Sequence, residues 1–501
     1  MTTSLADRFI ERARSQPAAP ALVWQAEHTS YGDLLEMASA ADADVMRLGL
    51  PDDRPVGIRA KKSPQAIALI LACLKAGRPF VLPSVELAPD TLEALFAQAG
   101  ASAVLVPQDD PAHGVKVNAS DVESDAGSEW PPPGADEVSF MLTTSGSTGL
   151  PKIVPLPGSA VDAFTDWAAS QFDIRPGTTV LNYAPLNFDL CLLDIWTTLK
   201  YGGCVTLVDQ DRGTNGAYLA DLLTDNAVNV VQAVPMLYRL LIDESREAGR
   251  EFPDVRHALT TGDKMPASSL QALPDLFPNA RVFNVYGCTE TNDSLMHEVD
   301  LAAEVPAQLP VGQPIAGVAA VIVDPEGGFV ENEGTGELLV CTPFQTQGYL
   351  KASLNDGKFV DYATNGQGET RYFRTGDIVR RHGDGTLTLE GRSDFYVKVR
   401  GVRVSTQVVE QAIQEHPEVI EVAVVAVPDE MAGSRLHALV RKEPDSKLNS
   451  LSLRQHCASR LARTEMPSSI EIVTEPLPKT STGKIDRKRC GPRGERSQIH
   501  G

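Results

Sequence analysis

Phe140–Leu156 reads FMLTTSGSTGLPKIVPL. Apolar residues lead into Thr143, Thr144, Ser145, Gly146, Ser147, Thr148 and Gly149, and Pro151 and Lys152 follow. Such a run reaches backbone conformations closed to bulkier residues. Its amides and hydroxyls can converge on an anion as a backbone nest, and Lys152 adds a point charge suited to phosphate. It is not a Walker A loop, because no G-x-x-x-x-G-K-[ST] occurs. Taken alone, the run has two open readings: a phosphate grip, or a polar turn between strands.

The elements around it alternate. Leu5, Phe9, Ile10 and Ala13 share a helical face, and Tyr31–Leu48 is a second amphipathic helix. Ile67–Lys75 is expected as a core helix, flanked by strands at Val56–Ile58 and Phe80–Leu82. Further short apolar runs at 103–106, 180–183, 205–208, 228–233, 257–260 and 282–285 alternate with helical patterns, which predicts an α/β domain rich in parallel sheet. Ser128–Ala135, with three prolines, cannot continue a helix or central strand and reads as a linker. From about residue 310 short strands with Gly turns predict an antiparallel β region, with Tyr372–Phe373 and Ile378–Arg381 as separate strands about a TGD turn. Beyond Arg392 a compact α+β unit is expected. It has a strand at 396–399, a helix from Ser405 to His416 with Val408, Val409, Ala412 and Ile413 inward, and a helix over Leu451–Arg463. The division is thus residues 1–393, then a small C-terminal domain over 394–501.

At 501 residues the chain is long enough for more than one core. Its net charge of -21 argues against nucleic acid as a main partner. No apolar run reaches the ~18–20 residues of a membrane span, and the N-terminus lacks the apolar core of a signal peptide. Seven scattered cysteines, none in a C-x-x-C pair, read as free thiols in a reducing cytoplasm.

Seven segments in order, TTSGSTGLPK (143–152), NFDLCLLDIW (187–196), NVYGCTETN (284–292), GELLV (336–340), YFRTGDIVRR (372–381), GRSDFYVKVRGVRV (391–404) and PKTSTGKIDR (478–487), are those of another group of proteins. Together they resemble the adenylate-forming superfamily of amino-acid adenylation domains, acyl-CoA ligases and luciferases, over nearly the whole chain. The resemblance implies that a carboxylate is joined to the α-phosphate of ATP and pyrophosphate is expelled. Charge then builds on phosphorus oxygens, which calls for donors, a cation and a metal.

Residue by residue, the resemblance assigns Thr143, Thr144, Ser145, Gly146, Ser147, Thr148 and Lys152 to the β- and γ-phosphates. Asn284, Tyr286, Gly287 and Thr289 fall to the adenine side, Asp377 and Arg392 to the ribose, and Glu290 to Mg²⁺, a hard cation that favours oxygen. Lys484 is the expected catalytic cation between substrate carboxylate and α-phosphate. Asp394 is the expected hinge of a mobile C-terminal domain, with Lys398 and Gly401 on a pantetheine path. Where the family often has proline this chain has Cys288, which has no evident activating neighbour.

In the amino-acid branch an aspartate at the place of Asp189 pairs with the α-ammonium; otherwise it caps the following helix. Leu190, Leu193, Ala233, Leu259, Thr261, Val285, Asp293 and Ser294 are the matched pocket positions. Their apolar majority favours a small amino acid: alanine, serine, glycine or proline. Asp293 and Ser294 depart from that apolar floor. Asp293 either meets a hydroxyl or amino side chain or faces water. No carrier, condensation or thioesterase motif occurs, so the resemblance implies an enzyme that passes its product to a separate phosphopantetheinylated carrier protein. An acyl-CoA ligase and a nucleotide-binding pseudoenzyme are the alternatives. Asp189 speaks against the first, and Lys484, Glu290 and Asp377 against the second.

Overall fold

A computed structural model of the chain describes residues 4–110, 112–122, 129–130, 138–144, 150–301, 303, 306, 308–363, 369–392, 396–399, 402–429, 433–458, 460–461, 463, 465–479 and 485–492. The expected phosphate-loop residues Ser145, Gly146, Ser147 and Thr148, with Asp394, Gly401, Lys484 and the side chain of Lys398, lie outside the described residues. So does most of the expected linker.

Two mixed sheets face one another across the main core. One has nine strands, of which Pro20–Trp24, Cys204–Leu207, Thr179–Asn182, Val230–Ala233, His257–Thr261 and Arg281–Cys288 run parallel in that order. Asn292–Val299 then returns antiparallel beside Arg281–Cys288. The other has six strands and ends in the antiparallel pair Val138–Thr144 and Lys152–Pro157. The α/β expectation therefore holds. Helix Pro64–Lys75 begins at an N-cap, Ser63, whose hydroxyl accepts from Ala66 N–H at 3.2 Å, and Pro64 suits its first turn. Residues 66–73 of this helix are all buried, as a helix apolar on every side must be. Side chains from both sheets and this helix form one cluster.

The antiparallel region has five strands, and its centre corrects one expectation. Tyr372–Phe373 and Ile378–Arg381 belong to a single strand, Glu369–Arg381. The TGD triplet is a bulge within it. Ile378 pairs with Glu337 and Arg374 with Leu339, so three residues on one strand oppose Leu338 alone. Gly376, at φ 75°, takes the left-handed conformation the bulge requires. Sequence reading sees a turn because Thr-Gly-Asp is turn chemistry whether or not the chain reverses.

Beyond residue 396 a hairpin, a three-stranded sheet and two helices share cores drawn only from residues 397–490. The helix Thr406–Gln414 is capped by Ser405. Val409, Ala412 and Ile413 point inward as expected, but Val408 is 43% exposed. The last helix is shorter than expected, Ser450–Ala458. Among the described residues no helix is long and apolar enough to cross a membrane.

Candidate active site

The strand Arg281–Cys288 organises the site, because its alternation sends side chains to two faces. Phe283 and Val285 enter the main core, whereas Tyr286 packs against the antiparallel region. Asn284 shares the face of Tyr286. Its Nδ2 donates to the Pro310 carbonyl at 2.7 Å.

Asp377 meets Tyr286 because the bulge projects it from its strand. The Tyr286 hydroxyl donates to Asp377 Oδ2, and Arg392 Nη1 donates to Asp377 Oδ1 at 2.9 Å. Arg392 is the cross-strand neighbour of Asp377. The bulge is braced from within: Thr375 Oγ1 donates to the Leu338 carbonyl at 2.7 Å and accepts from Asp377 N–H at 3.0 Å. Burial, then the Asp377 charge, pushes the Tyr286 phenol well above its ordinary range, so it stays a donor.

Glu290 lies in the turn that follows, and Tyr349 Oη donates to its Oε1 at 2.6 Å. Lys152 Nζ sits 4.6 Å from the centre of the same Tyr349 ring. Tyr349 therefore joins Lys152, expected at the phosphates, to Glu290, expected at the metal. The sequence reading did not single it out, since an aromatic in an irregular segment carries no motif. Thr143 and Thr144 pair with Ile153 and Lys152. The strands that flank the run in sequence, Val138–Thr144 and Lys152–Pro157, are thus an antiparallel pair. Thr289 falls in the turn beside Glu290.

On the other side, Asp189 precedes a π-helix, Leu192–Thr197. That geometry is rare and concentrates at functional sites. The backbone carbonyl of Asp189, rather than its carboxylate, accepts from Leu192 N–H at 2.8 Å, and the N-cap residue Cys191 supplies no side-chain cap. Leu193, Leu259, Thr261, Val285 and Ser294 are buried, and Leu190 is half-buried. Ala233 does not join them: it packs in a second cluster with Ala258 and Leu181. Its neighbour Gln232 lies in register with Asn182 and Leu259, and its Nε2 donates to the Leu190 carbonyl at 3.4 Å. A one-residue shift along a strand exchanges the two faces, which is why sequence matching missed Gln232.

Asp293 reaches this side through a second bulge. Tyr286 pairs with Leu295, but Gly287 pairs with Asp293, leaving Ser294 as the extra residue. Asp293 thereby shares the face of Gly287 and Val285 instead of that of Tyr286. Gly287 is required here: a Cβ would meet the Asn292 carbonyl oxygen at 2.3 Å. Asn292 itself sits at φ 52°. Burial and the Asp189 charge push the Asp293 carboxyl up to about 7. Below it, Asp194 Oδ2 accepts from Asn182 Nδ2 at 3.1 Å, and burial raises its carboxyl well above the usual range. Lys62 Nζ donates to the carbonyls of Asn182 (2.9 Å) and Tyr183 (3.2 Å), and burial lowers it to about 8. Cys288 contacts Thr291 Oγ1 at 3.2 Å, and burial with Glu290 nearby raises its thiol, the reverse of an activated nucleophile.

Among the described residues no group of three or more His, Cys, Asp or Glu side chains gathers to hold a metal. A lone carboxylate such as Glu290 suits Mg²⁺, which keeps several waters and takes one or two carboxylates with nucleotide phosphates.

Known proteins resemble this chain over nearly its whole length. The chain is 28% identical to a D-alanine--D-alanyl carrier protein ligase of Bacillus licheniformis, over 95% of this chain and 97% of the relative. It is 29% identical to an L-proline--[L-prolyl-carrier protein] ligase of Pseudomonas fluorescens, over 96% and 98%. The fold matches Klebsiella oxytoca NpsA in complex with 3-hydroxyanthranilyl-AMSN at a TM-score of 0.78 and 24% identity, covering 98% of this chain and 99% of the other. The family model for AMP-binding enzymes matches residues 9–350 and that for their C-terminal domain residues 408–484, so the chain belongs to the AMP-binding enzyme family.

Proposed function

We propose that this protein activates an amino acid as its adenylate at the expense of ATP, releases pyrophosphate, and transfers the aminoacyl group to the phosphopantetheine thiol of a separate carrier protein. The observation that carries the reading is the double use of Arg281–Cys288. One face holds the Asp377–Tyr286–Arg392 cluster, and on the other Val285 lies among buried Leu193 and Leu259, with Asp189 acting on Asp293 nearby. A ribose on the first and an amino acid in the second would bring α-phosphate and carboxylate together near the carboxyl end of a parallel strand, the usual ligand crevice of such sheets. The carrier-protein ligases among the relatives support the same acceptor.

Within this reading Asp377 and Arg392 receive the ribose, Tyr286 lies along the adenine, and Asn284 Oδ1 accepts from the adenine amino group, its Nδ2 being engaged at Pro310. Glu290 would hold Mg²⁺ with the nucleotide, and the ion would screen the phosphate charge. Lys152 and the Thr143–Thr148 loop hold the β- and γ-phosphates, Asp189 holds the α-ammonium, and Lys484 bridges the reacting carboxylate and α-phosphate. The C-terminal unit, taken to begin at Asp394, turns to exchange Lys484 for the Lys398–Gly401 path. That its cores, among the described residues, are drawn from 397–490 alone supports such a motion.

Pyrophosphate release with ATP and Mg²⁺ across a panel of amino acids, with acetate and benzoate alongside, tests the proposal. A signal confined to amino acids is expected, with Lys484→Ala reducing it by about 1,000-fold while ATP still binds. A signal only with simple acids, or an undiminished variant, refutes it.

A further inference from the structure

Four buried side-chain atoms around the substrate side lack a hydrogen-bonding partner: Asn182 Oδ1, Asp194 Oδ1, Gln232 Oε1 and Asp293 Oδ2. The two amide oxygens are acceptors, and so is each carboxyl oxygen when ionised. Three neighbouring donors are spent. Asn182 Nδ2 serves Asp194, Gln232 Nε2 serves the Leu190 carbonyl, and Lys62 serves two backbone carbonyls. Asp194 is 0% and Gln232 2% exposed, so bulk water does not satisfy them. A buried acceptor left unpaired costs about 1–3 kcal/mol, more if charged.

Charge points the same way. Asp189 and Asp194 each bear on Asp293 or are borne on by it, and no described cation does. Lys62 is the cation that acts on Asp194. No such cation faces Asp293 among the described residues. In the proposed function the α-ammonium of the substrate goes to Asp189. A hydroxyl side chain would bring one donor and no charge, whereas a second ammonium brings three donors and a charge. Buried Leu193 and Val285 make the surroundings apolar, where an unmatched carboxylate is most costly.

From this geometry we infer that the substrate is a diamino acid whose second ammonium is bound by Asp293 Oδ2. The inference rests on the amino-acid-activating reading and narrows it from the small neutral residues that the leucine-rich lining suggests.

The test measures kcat/KM for pyrophosphate release by the full chain with diaminopropionate, diaminobutyrate, ornithine and lysine, in both chiral forms. Each is set against the isostere with methyl in place of the second amino group. At least one diamino acid is expected to exceed its isostere about 100-fold, as a site built for a polar group discriminates. Asp293→Asn is expected to remove most of that ratio. Asp293→Ser serves if the first variant fails to melt cooperatively. Isosteres equal to or better than every diamino acid, or a ratio that survives in a folded Asp293 variant, overturn the inference and leave amino-acid activation standing. Silence with every amino acid overturns both.

Discussion

On the nucleotide side of Arg281–Cys288, Asp377 is held by Tyr286 and Arg392, and Glu290 by Tyr349; on the substrate side, Asp194, Gln232 and Asp293 each keep an oxygen with no partner. Both sides are buried and acidic. They differ in whether the protein supplies the compensating donors itself. A side chain paired before the ligand arrives is already oriented, which lowers the ordering cost of binding. One left unpaired is destabilised until the right ligand comes, and it penalises the wrong one. The first arrangement suits a cosubstrate used in every turnover, the second a selective pocket.

The contrast predicts opposite consequences for removing a carboxylate. Asp377→Ala should lower adenylation kcat/KM by about 1,000-fold. It should also destabilise the fold by about 1–2 kcal/mol, because the buried Tyr286 hydroxyl loses its acceptor and part-exposed Arg392 its ion-pair partner. Pyrophosphate exchange and a denaturant melt read the two effects. An inactive variant with an unchanged melt would show that the cluster is not a structural unit in the free protein. Tyr349→Phe is a milder probe of the same side. It keeps the ring beneath Lys152 and removes only the donor to Glu290, a bond to a charged group worth about 1.5 kcal/mol or somewhat more. A loss of about tenfold in rate, with a severalfold rise in the Mg²⁺ needed for half-maximal activity, is expected. An unchanged Mg²⁺ response would detach Tyr349 from the metal.

The members of the Asp377–Tyr286–Arg392 side could be picked out in the sequence, because they sit in contiguous motifs: YGCTET carries Tyr286 and Glu290, and RTGD carries Asp377. What the motifs hid was how those residues reach each other. The Thr375–Asp377 bulge looks like a turn, and Tyr349 carries no signature. The pocket side was less legible for a physical reason. Its residues come one or two at a time from different strands, and a slip of one position reverses the face. Ala233 was matched where Gln232 stands, and the bulge at Ser294 that turns Asp293 toward Val285 is invisible without the partner strand. The main-core helix was evident because its residues are apolar on every side. The exposed Val408 shows how little a single apolar residue at the edge of a helical face decides.

The smallest predicted effect isolates Asp293 in the protein without ligand. Its carboxyl is raised from its unfolded value of about 4 to about 7 by burial and by Asp189. Asp293 in turn adds to the raising of Asp194 in the π-helix, which burial dominates, and Asp189 also acts on Cys288. Between these two pH values the native state holds a proton that the unfolded chain has released. Stability therefore falls as pH rises through that window and levels off above about 7. Asp293→Asn removes this contribution. The variant should melt on the order of 2 °C higher than the parent at pH 8 and converge with it near pH 4. A bound diamino acid should abolish the difference at pH 8, since its ammonium pairs the carboxylate and returns the Asp293 carboxyl toward its ordinary range. A variant that melts below the parent at pH 8 would mean that Asp293 has a donor in the free protein, and the contrast between the two sides would collapse.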